Sequence, residues 1–276
     1  KADFLWPSSE VALAAYKMQH GNLVKSETIF NSPIVLYSWD IVTDALIREN
    51  IVTVRDSVYY VTDLPRLIGF AVNGKKWKDI GLAELYGKVS IISTDPNKSN
   101  SGAMFAGLLA DILCGDTADS AGVAAVLPKI KSYFLSLGYM EHSSGDLFQQ
   151  YLSTGVGAKP IIVGYESQII EFSMQNASQW PSVKNKVRIL YPEPTVWSSH
   201  PLILQSPKAE ALRQALLDPG VQKIAWEQHG FRTGMMGAQN DPKLLAVVGI
   251  PAVVNKVIPL PGPLAMEKIL DMIAGQ

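Results

Sequence analysis

The run Ser93-Thr94-Asp95-Pro96-Asn97-Lys98-Ser99-Asn100-Ser101-Gly102 gathers hydroxyls, amides, one ammonium and a glycine in a single stretch. It follows the apolar residues 89–92 and precedes Phe105, Leu108, Leu109, Ile112 and Leu113, spaced i, i+3, i+4, i+7, i+8. The pattern predicts a strand, a polar loop and a helix start. The first N–H groups of a helix have no partner inside it, and the helix dipole adds roughly half a positive charge there. Small hydroxyls, Lys98 and Gly102 at such a start form a cradle for a compact polar ligand, most naturally an oxyanion. The loop carries no nucleophile paired with a base, so the chemistry it suits is holding rather than reacting. Helix capping is the plain alternative, and a cap needs only one such residue. Thr94, Lys98, Ser99, Asn100 and Ser101 together favour a ligand site.

Three other turns share this design. Phe4-Leu5-Trp6 is followed by Ser8, Ser9 and a helical run over 11–19. The segment 139–142 is followed by Ser143, Ser144 and a helical run over 147–152. The segment 160–164 is followed by Tyr165, Glu166 and a helical run over 169–174. Ligands of open α/β sheets bind outside the carboxyl ends of the strands, so four such turns predict one shared cleft. Glu10, Asp95, Glu141, Asp146 and Glu166 lie on or near these turns. Facing the cleft they would favour a polyol or a cation; pointing outward they leave the anion reading intact. Trp6, Trp39 and Trp197 offer faces for an organic ligand or for core packing.

Catalytic and metal signals are weak. There is no Gly-x-Ser-x-Gly elbow. His20, His142, His200 and His229 lack metal-ligand spacing. His142 beside Ser143 is a poor nucleophile–base pair, because sequence neighbours rarely face each other. The run 69–76 nearly matches a phosphate loop, but Lys76 stands where Ser or Thr is required, and a helix ending at Asn73-Gly74 explains it better. No enzyme activity, cofactor or metal is expected. The 276 residues carry a formal charge of −1 without a basic stripe, which argues against a nucleic-acid partner. No apolar run of about 18 residues is present to span a membrane. The single Cys114 permits no internal disulfide and suits a buried, inert thiol.

Helices are expected over 41–50, 64–72, 129–137, 208–217 and 264–274, with a stop and restart at 217–220. A hairpin is expected from 51–54 and 58–61 around Arg55-Asp56-Ser57. The runs 33–38 and 187–204 predict long strands crossing between lobes, with Tyr191-Pro192-Glu193-Pro194-Thr195 as a Pro-rich connection.

Three motifs carry a family likeness: Thr94-Asp95-Pro96-Asn97-Lys98-Ser99-Asn100-Ser101-Gly102, Gly138-Tyr139-Met140-Glu141-His142-Ser143-Ser144-Gly145-Asp146, and Tyr191-Pro192-Glu193-Pro194-Thr195-Val196-Trp197-Ser198-Ser199-His200-Pro201-Leu202. The chain resembles bacterial extracellular solute-binding proteins of ABC importers, nearest the sulfate- and molybdate-binding group. The resemblance implies an α/β, two-lobed type II periplasmic-binding-protein fold with the ligand cleft between the lobes. The lobes would comprise 1–38 with 198–276, and 39–197 with an insertion at about 40–83. Ser8 and Ser9 would contribute from the first lobe. Thr94, Lys98, Ser99, Asn100, Ser101, Ser143, Ser144 and Tyr165 would contribute from the second, with Glu166 as a further lining residue. The implied partners are a small-molecule ligand and a membrane permease. The implied location is periplasmic or extracellular, with a lipid anchor where an N-terminal segment supplies one. Relative to that family the sequence begins at the third element, without the first strand, helix and strand. A monomer is expected unless an open sheet edge pairs with another chain. A sugar or other small organic ligand is the alternative within this fold. A hydrolase or a ligand-sensing regulatory module is the alternative outside it.

Overall fold

The computed structural model describes residues 2–21, 23–235 and 240–275. Its spine is β2 (Ser26–Trp39), a strand long enough to serve two sets of neighbours. Its first half pairs antiparallel with β7 (Trp197–Leu204); from Ile34 onward it pairs antiparallel with β5 (Ile161–Tyr165) and β6 (Val187–Pro192). β6 runs into β7 through residues 193–196, so the chain passes twice between the two sets. The passes are bonded where they change sides. Ile34 N–H donates to the Val196 carbonyl at 3.0 Å, and Thr195 Oγ1 donates to the Ile34 carbonyl at 2.6 Å. Both expected crossings are therefore present, with the Pro-rich stretch as the turn between β6 and β7.

Around the first half of β2 lie β1 (Phe4–Leu5), which pairs β7, and β8 (Arg232–Thr233), which pairs Phe30 and Asn31. The helices α1 (Glu10–His20), α9 (Ala209–Leu216) and α10 (Pro219–His229) accompany them. Around the second half lie β4 (Val58–Val61), parallel to β6, and its hairpin partner β3 (Val52–Arg55). This part also carries α2 (Asp40–Arg48), α3 (Leu64–Val72), α4 (Asn100–Cys114), α5 (Ser120–Ser136), α6 (Ser144–Thr154), α7 (Glu166–Gln175) and α8 (Trp180–Val183). The last helix is α11 (Pro263–Ala274).

The apolar runs of β2, β5 and β6 follow from a sheet covered on both faces. Successive side chains point to opposite faces. Ile34 and Leu36 enter a core with α2, α3, α4 and α5, whereas Val35 and Tyr37 enter another with α6 and α7.

Two expectations are corrected. The apolar run 89–92 forms no ladder; it touches the sheet at one parallel bridge, Ile92 to Ile162. The segment 139–142 belongs to no strand, bending at Tyr139 and His142, and Tyr139 is exposed. The expected C-terminal helix is present as α11. Ala265, Met266, Ile269 and Ile273 of α11 are buried in the core built by α4 and α5. Gly107 on α4 makes room for this: a Cβ there would stand 2.7 Å from Leu260 Cδ2 and 2.9 Å from Met266 Sδ. The near-match to a phosphate loop is the end of α3, closed by Asn73 and by Gly74 at φ +69°.

Candidate functional site

Phe105, Leu108 and Leu109 bury the stripe of α4 and aim its N-terminus at Tyr165, the end of β5, which pairs with Ile34 midway along β2. Gly102 lets the preceding turn fold onto the first helical turn. A Cβ at that position would lie 2.4 Å from the Thr94 carbonyl oxygen and 2.9 Å from Pro96 N. Ser99 occupies the N-cap position but makes no capping bond. Its hydroxyl is instead 3.0 Å from Ser101 Oγ, which is 2.9 Å from Thr94 Oγ1. The backbone N–H groups of Asn100, Ser101 and Gly102 have no acceptor among the described residues. The serine-headed helices α1 and α6 differ, each being capped by a side chain, whereas α2, α9 and α11 also lack a side-chain cap. Ser9 Oγ accepts the Val11 N–H at 3.2 Å at the head of α1. Ser143 Oγ accepts Gly145 N–H at 3.1 Å and Asp146 N–H at 3.4 Å at the head of α6.

The Asn100 amide is the hub of the site. Its Nδ2 lies 3.0 Å from the Ser8 carbonyl oxygen, 3.0 Å from the Tyr165 hydroxyl and 3.5 Å from Ser198 Oγ. Ser198 Oγ donates to the same Ser8 carbonyl at 2.9 Å. Burial pushes the Tyr165 phenol above its ordinary pKa, with hydrogen bonds from Asn100 opposing, so the hydroxyl keeps its proton. Tyr165 is fixed at its backbone by Gln168, whose Oε1 accepts its N–H at 2.8 Å while Nε2 donates to the Ser144 carbonyl at 2.8 Å. Lys98 Nζ lies 3.0 Å from His142 Nε2 and 3.5 Å from Asp95 Oδ2, and Asp95 N–H donates to the Glu141 carbonyl at 2.9 Å. The four turns thus meet. Ser8, Ser99, Asn100, Ser101, Thr94 and Tyr165 form the connected centre. Ser9, Ser143 and Ser144 adjoin it, the first two with their hydroxyls spent on helix caps and the third joined by its carbonyl. Lys98 is a half-exposed bridge at its edge.

Glu166 does not line a cleft. It is fully buried, with both oxygens held by Arg232 and one also by Tyr191. Other acids near the turns are likewise engaged. Asp95 Oδ1 accepts the Asn97 N–H at 2.9 Å, Glu141 accepts from Gln150 at 2.6 Å, and Glu10 accepts from Thr28 at 3.3 Å. His142 and Ser143 form no catalytic pair, since one faces Lys98 and the other caps α6. Trp39 packs on Tyr151 and Trp6 near Phe30, so both serve the fold. Trp197 lines a cavity.

A groove of about 610 Å³ opens from the polar centre between α1, α4 and α11. Ser9, Asn97 and Asn100 line it together with apolar side chains of all three helices. The sequence reading missed Asn97, Ser198 and the wall supplied by α11. Leu264, Glu267 and Asp271, at i, i+3, i+7, mark that wall. The spacing alone does not say which neighbour it faces.

No protein-family model matches the chain, and no curated protein matches it. Solved structures do. A candidate extracellular solute-binding protein from Bordetella parapertussis is 14% identical over 91% of this chain and 67% of its own, at TM-score 0.59. Iron-bound HitA from Pseudomonas aeruginosa is 12% identical over 99% of this chain and 82% of its own, at TM-score 0.56. A periplasmic thiamin binding protein is 10% identical over 99% of this chain and 77% of its own, at TM-score 0.53. The fold is that of the two-lobed periplasmic binding proteins. At these identities the likeness speaks to fold and leaves the ligand open.

Proposed function

We propose that the chain is the solute-capture component of an ABC importer, working outside the cytoplasmic membrane and delivering its ligand to a membrane permease. The observation that carries this reading is the Asn100 amide, which reaches the Ser8 carbonyl from one set of elements and the Tyr165 hydroxyl from the other. A solute contacting both sides would favour the closed arrangement of lobes hinged on the β2 and β6–β7 crossings. Nothing is turned over. Among the described residues no helix is long and apolar enough to cross a membrane.

For the ligand we favour a group bearing an oxyanion. The free N–H groups at the start of α4 and the hydroxyls of Ser99 and Ser101 support it. The partners of Asp95, Glu141 and Glu10 remove part of the electrostatic objection. Iron is not carried over from the neighbour that binds it, since a likeness at 12% identity speaks to fold and not to ligand. A sugar or other organic solute is the second reading, favoured by the apolar share of the groove.

A thermal-shift screen of oxyanions, organic acids, sugars, polyols and amino acids tests the proposal. A ligand at one hundred times its Kd adds about 2.7 kcal/mol of stability. A shift with recovery of the unaltered ligand is expected. Chemical turnover of the ligand, or no shift from any class, overturns the capture reading.

A further inference from the structure

The groove beside Asn100 is far roomier than an inorganic oxyanion requires. Its volume of about 610 Å³ falls in the range of pockets that take whole organic molecules. Beyond the polar end its walls are hydrocarbon: Val11 and Ala15 on α1, Ala103 and Met104 on α4, Leu264 and Leu270 on α11. Alanines on two of the three walls create the space, since a larger side chain at either position would fill it. A second cavity of about 400 Å³ shares Val11, Leu260 and Pro263 with the first and adds Trp197, so apolar surface continues past Val11. Among the described residues no basic side chain lines the groove, and the charged lining groups are the exposed carboxylates Glu267 and Asp271 of α11.

Resting on the capture reading, we propose that the solute is an organic acid with a hydrocarbon body. Its acid group sits against the Asn97 amide and the free backbone N–H of Asn100, beside Ser9, and its chain or ring lies between α1, α4 and α11. A small hydrated anion would leave these walls in water and gain nothing from them, whereas a hydrocarbon body removes apolar surface of both partners from water. Continuity decides the occupant: Asn100 belongs to the polar centre and to the groove at once, and Ser9 lines the groove beside it. Glu267 and Asp271 add a filter, because a second negative charge at the far end of the solute meets like charge there.

Calorimetric titration of the intact chain with sulfate, acetate, hexanoate and octanoate, and with octylammonium, tests this. Affinity is expected to rise by about fourfold per methylene, the equivalent of about 0.8 kcal/mol for each buried CH2, until the groove is full. Ala15→Trp fills the groove and is expected to flatten that dependence; the series on the unaltered chain stands without it if the variant fails to fold. Tight sulfate binding with no gain from chain length overturns this inference and leaves the capture reading standing. Octylammonium binding more tightly than octanoate overturns the assignment of an acid. Binding of none of these while a sugar or polyol binds overturns the inference alone. Binding of no solute of any class overturns the capture reading with it.

Discussion

Arg232 and Glu166 form a two-point ion pair in the interior, Nε to Oε1 at 2.7 Å and Nη2 to Oε2 at 2.8 Å. The Tyr191 hydroxyl donates to the same carboxylate at 2.6 Å, and the guanidinium also donates to the carbonyls of Pro251 and Ala252 at 2.7 and 3.0 Å. Burial works against the charge on Arg232, and Glu166 outweighs it, so its pKa is raised. The elements joined are telling: β8 pairs with the first half of β2, while β6 pairs with the second half and α7 follows β5. The pair therefore ties both sets of strands together beside the crossing.

Removing one partner leaves a buried charge without compensation. Arg232→Met is expected to cost about 3–5 kcal/mol of stability, and the double change with Glu166→Leu to cost less than the single one. Urea unfolding of the three proteins checks it. An unchanged midpoint for Arg232→Met would mean that the pair contributes nothing to the fold.

Asn100 and Ser143 separate binding from capping. Asn100→Ala removes the amide shared by Ser8 and Tyr165 and is expected to weaken solute binding at least tenfold, about 1.4 kcal/mol, with a stability loss near 1 kcal/mol. Ser143→Ala removes the cap of α6 and is expected to cost about 1 kcal/mol of stability with little change in affinity. Affinity and unfolding measured on both variants decide. A larger affinity loss for Ser143→Ala than for Asn100→Ala reverses the assignment.

The opening loop and its helix were legible because spacing and turn chemistry agree there, and α2, α3, α9, the hairpin β3–β4 and both crossings were legible for the same reason. Local sequence could not tell Ser99 from Ser143. Both stand before a helix, but only at Ser99 does Ser101, itself bonded to Thr94, take the hydroxyl away from the backbone. That choice depends on how closely the turn approaches Gly102. Glu166 looked like a lining residue because its partner lies 66 positions away in the chain. The placing of α11 depended on Gly107 and Leu260, whose meeting no local pattern announces.

Asp111 predicts a pH dependence. Burial pushes its carboxyl up to about 6, against the hydrogen bond from the Ala118 N–H, and Oδ2 has no partner among the described residues. The native state then binds this proton more tightly than the unfolded chain does. Its contribution is fully present below the ordinary carboxylate range and is lost as pH rises through about 6. Asp111→Asn is expected to gain stability relative to the unaltered protein at about pH 8, by at most about 3 kcal/mol, and to lose that advantage at about pH 4. Melting temperatures of both proteins across this range check it. A difference that stays constant with pH would remove Asp111 from the titration.

Gly102 and Gly145 test how the cradle is built. Both are in the first turn of a helix, where alanine ordinarily adds stability by restricting the unfolded chain. At Gly145 the new Cβ would stand 3.4 Å from Ser143 Oγ, an ordinary contact, so Gly145→Ala is expected to be neutral or to stabilise by up to about 1 kcal/mol. At Gly102 the same methyl would meet the Thr94 carbonyl at 2.4 Å and Pro96 N at 2.9 Å, both backbone atoms that cannot swing aside. The turn must lift off the helix start, taking Thr94 away from Ser101. Gly102→Ala is expected to destabilise by about 1–3 kcal/mol and to weaken solute binding together with stability. Equal behaviour of the two variants would mean that the close approach of the turn to α4 contributes neither to the fold nor to the site.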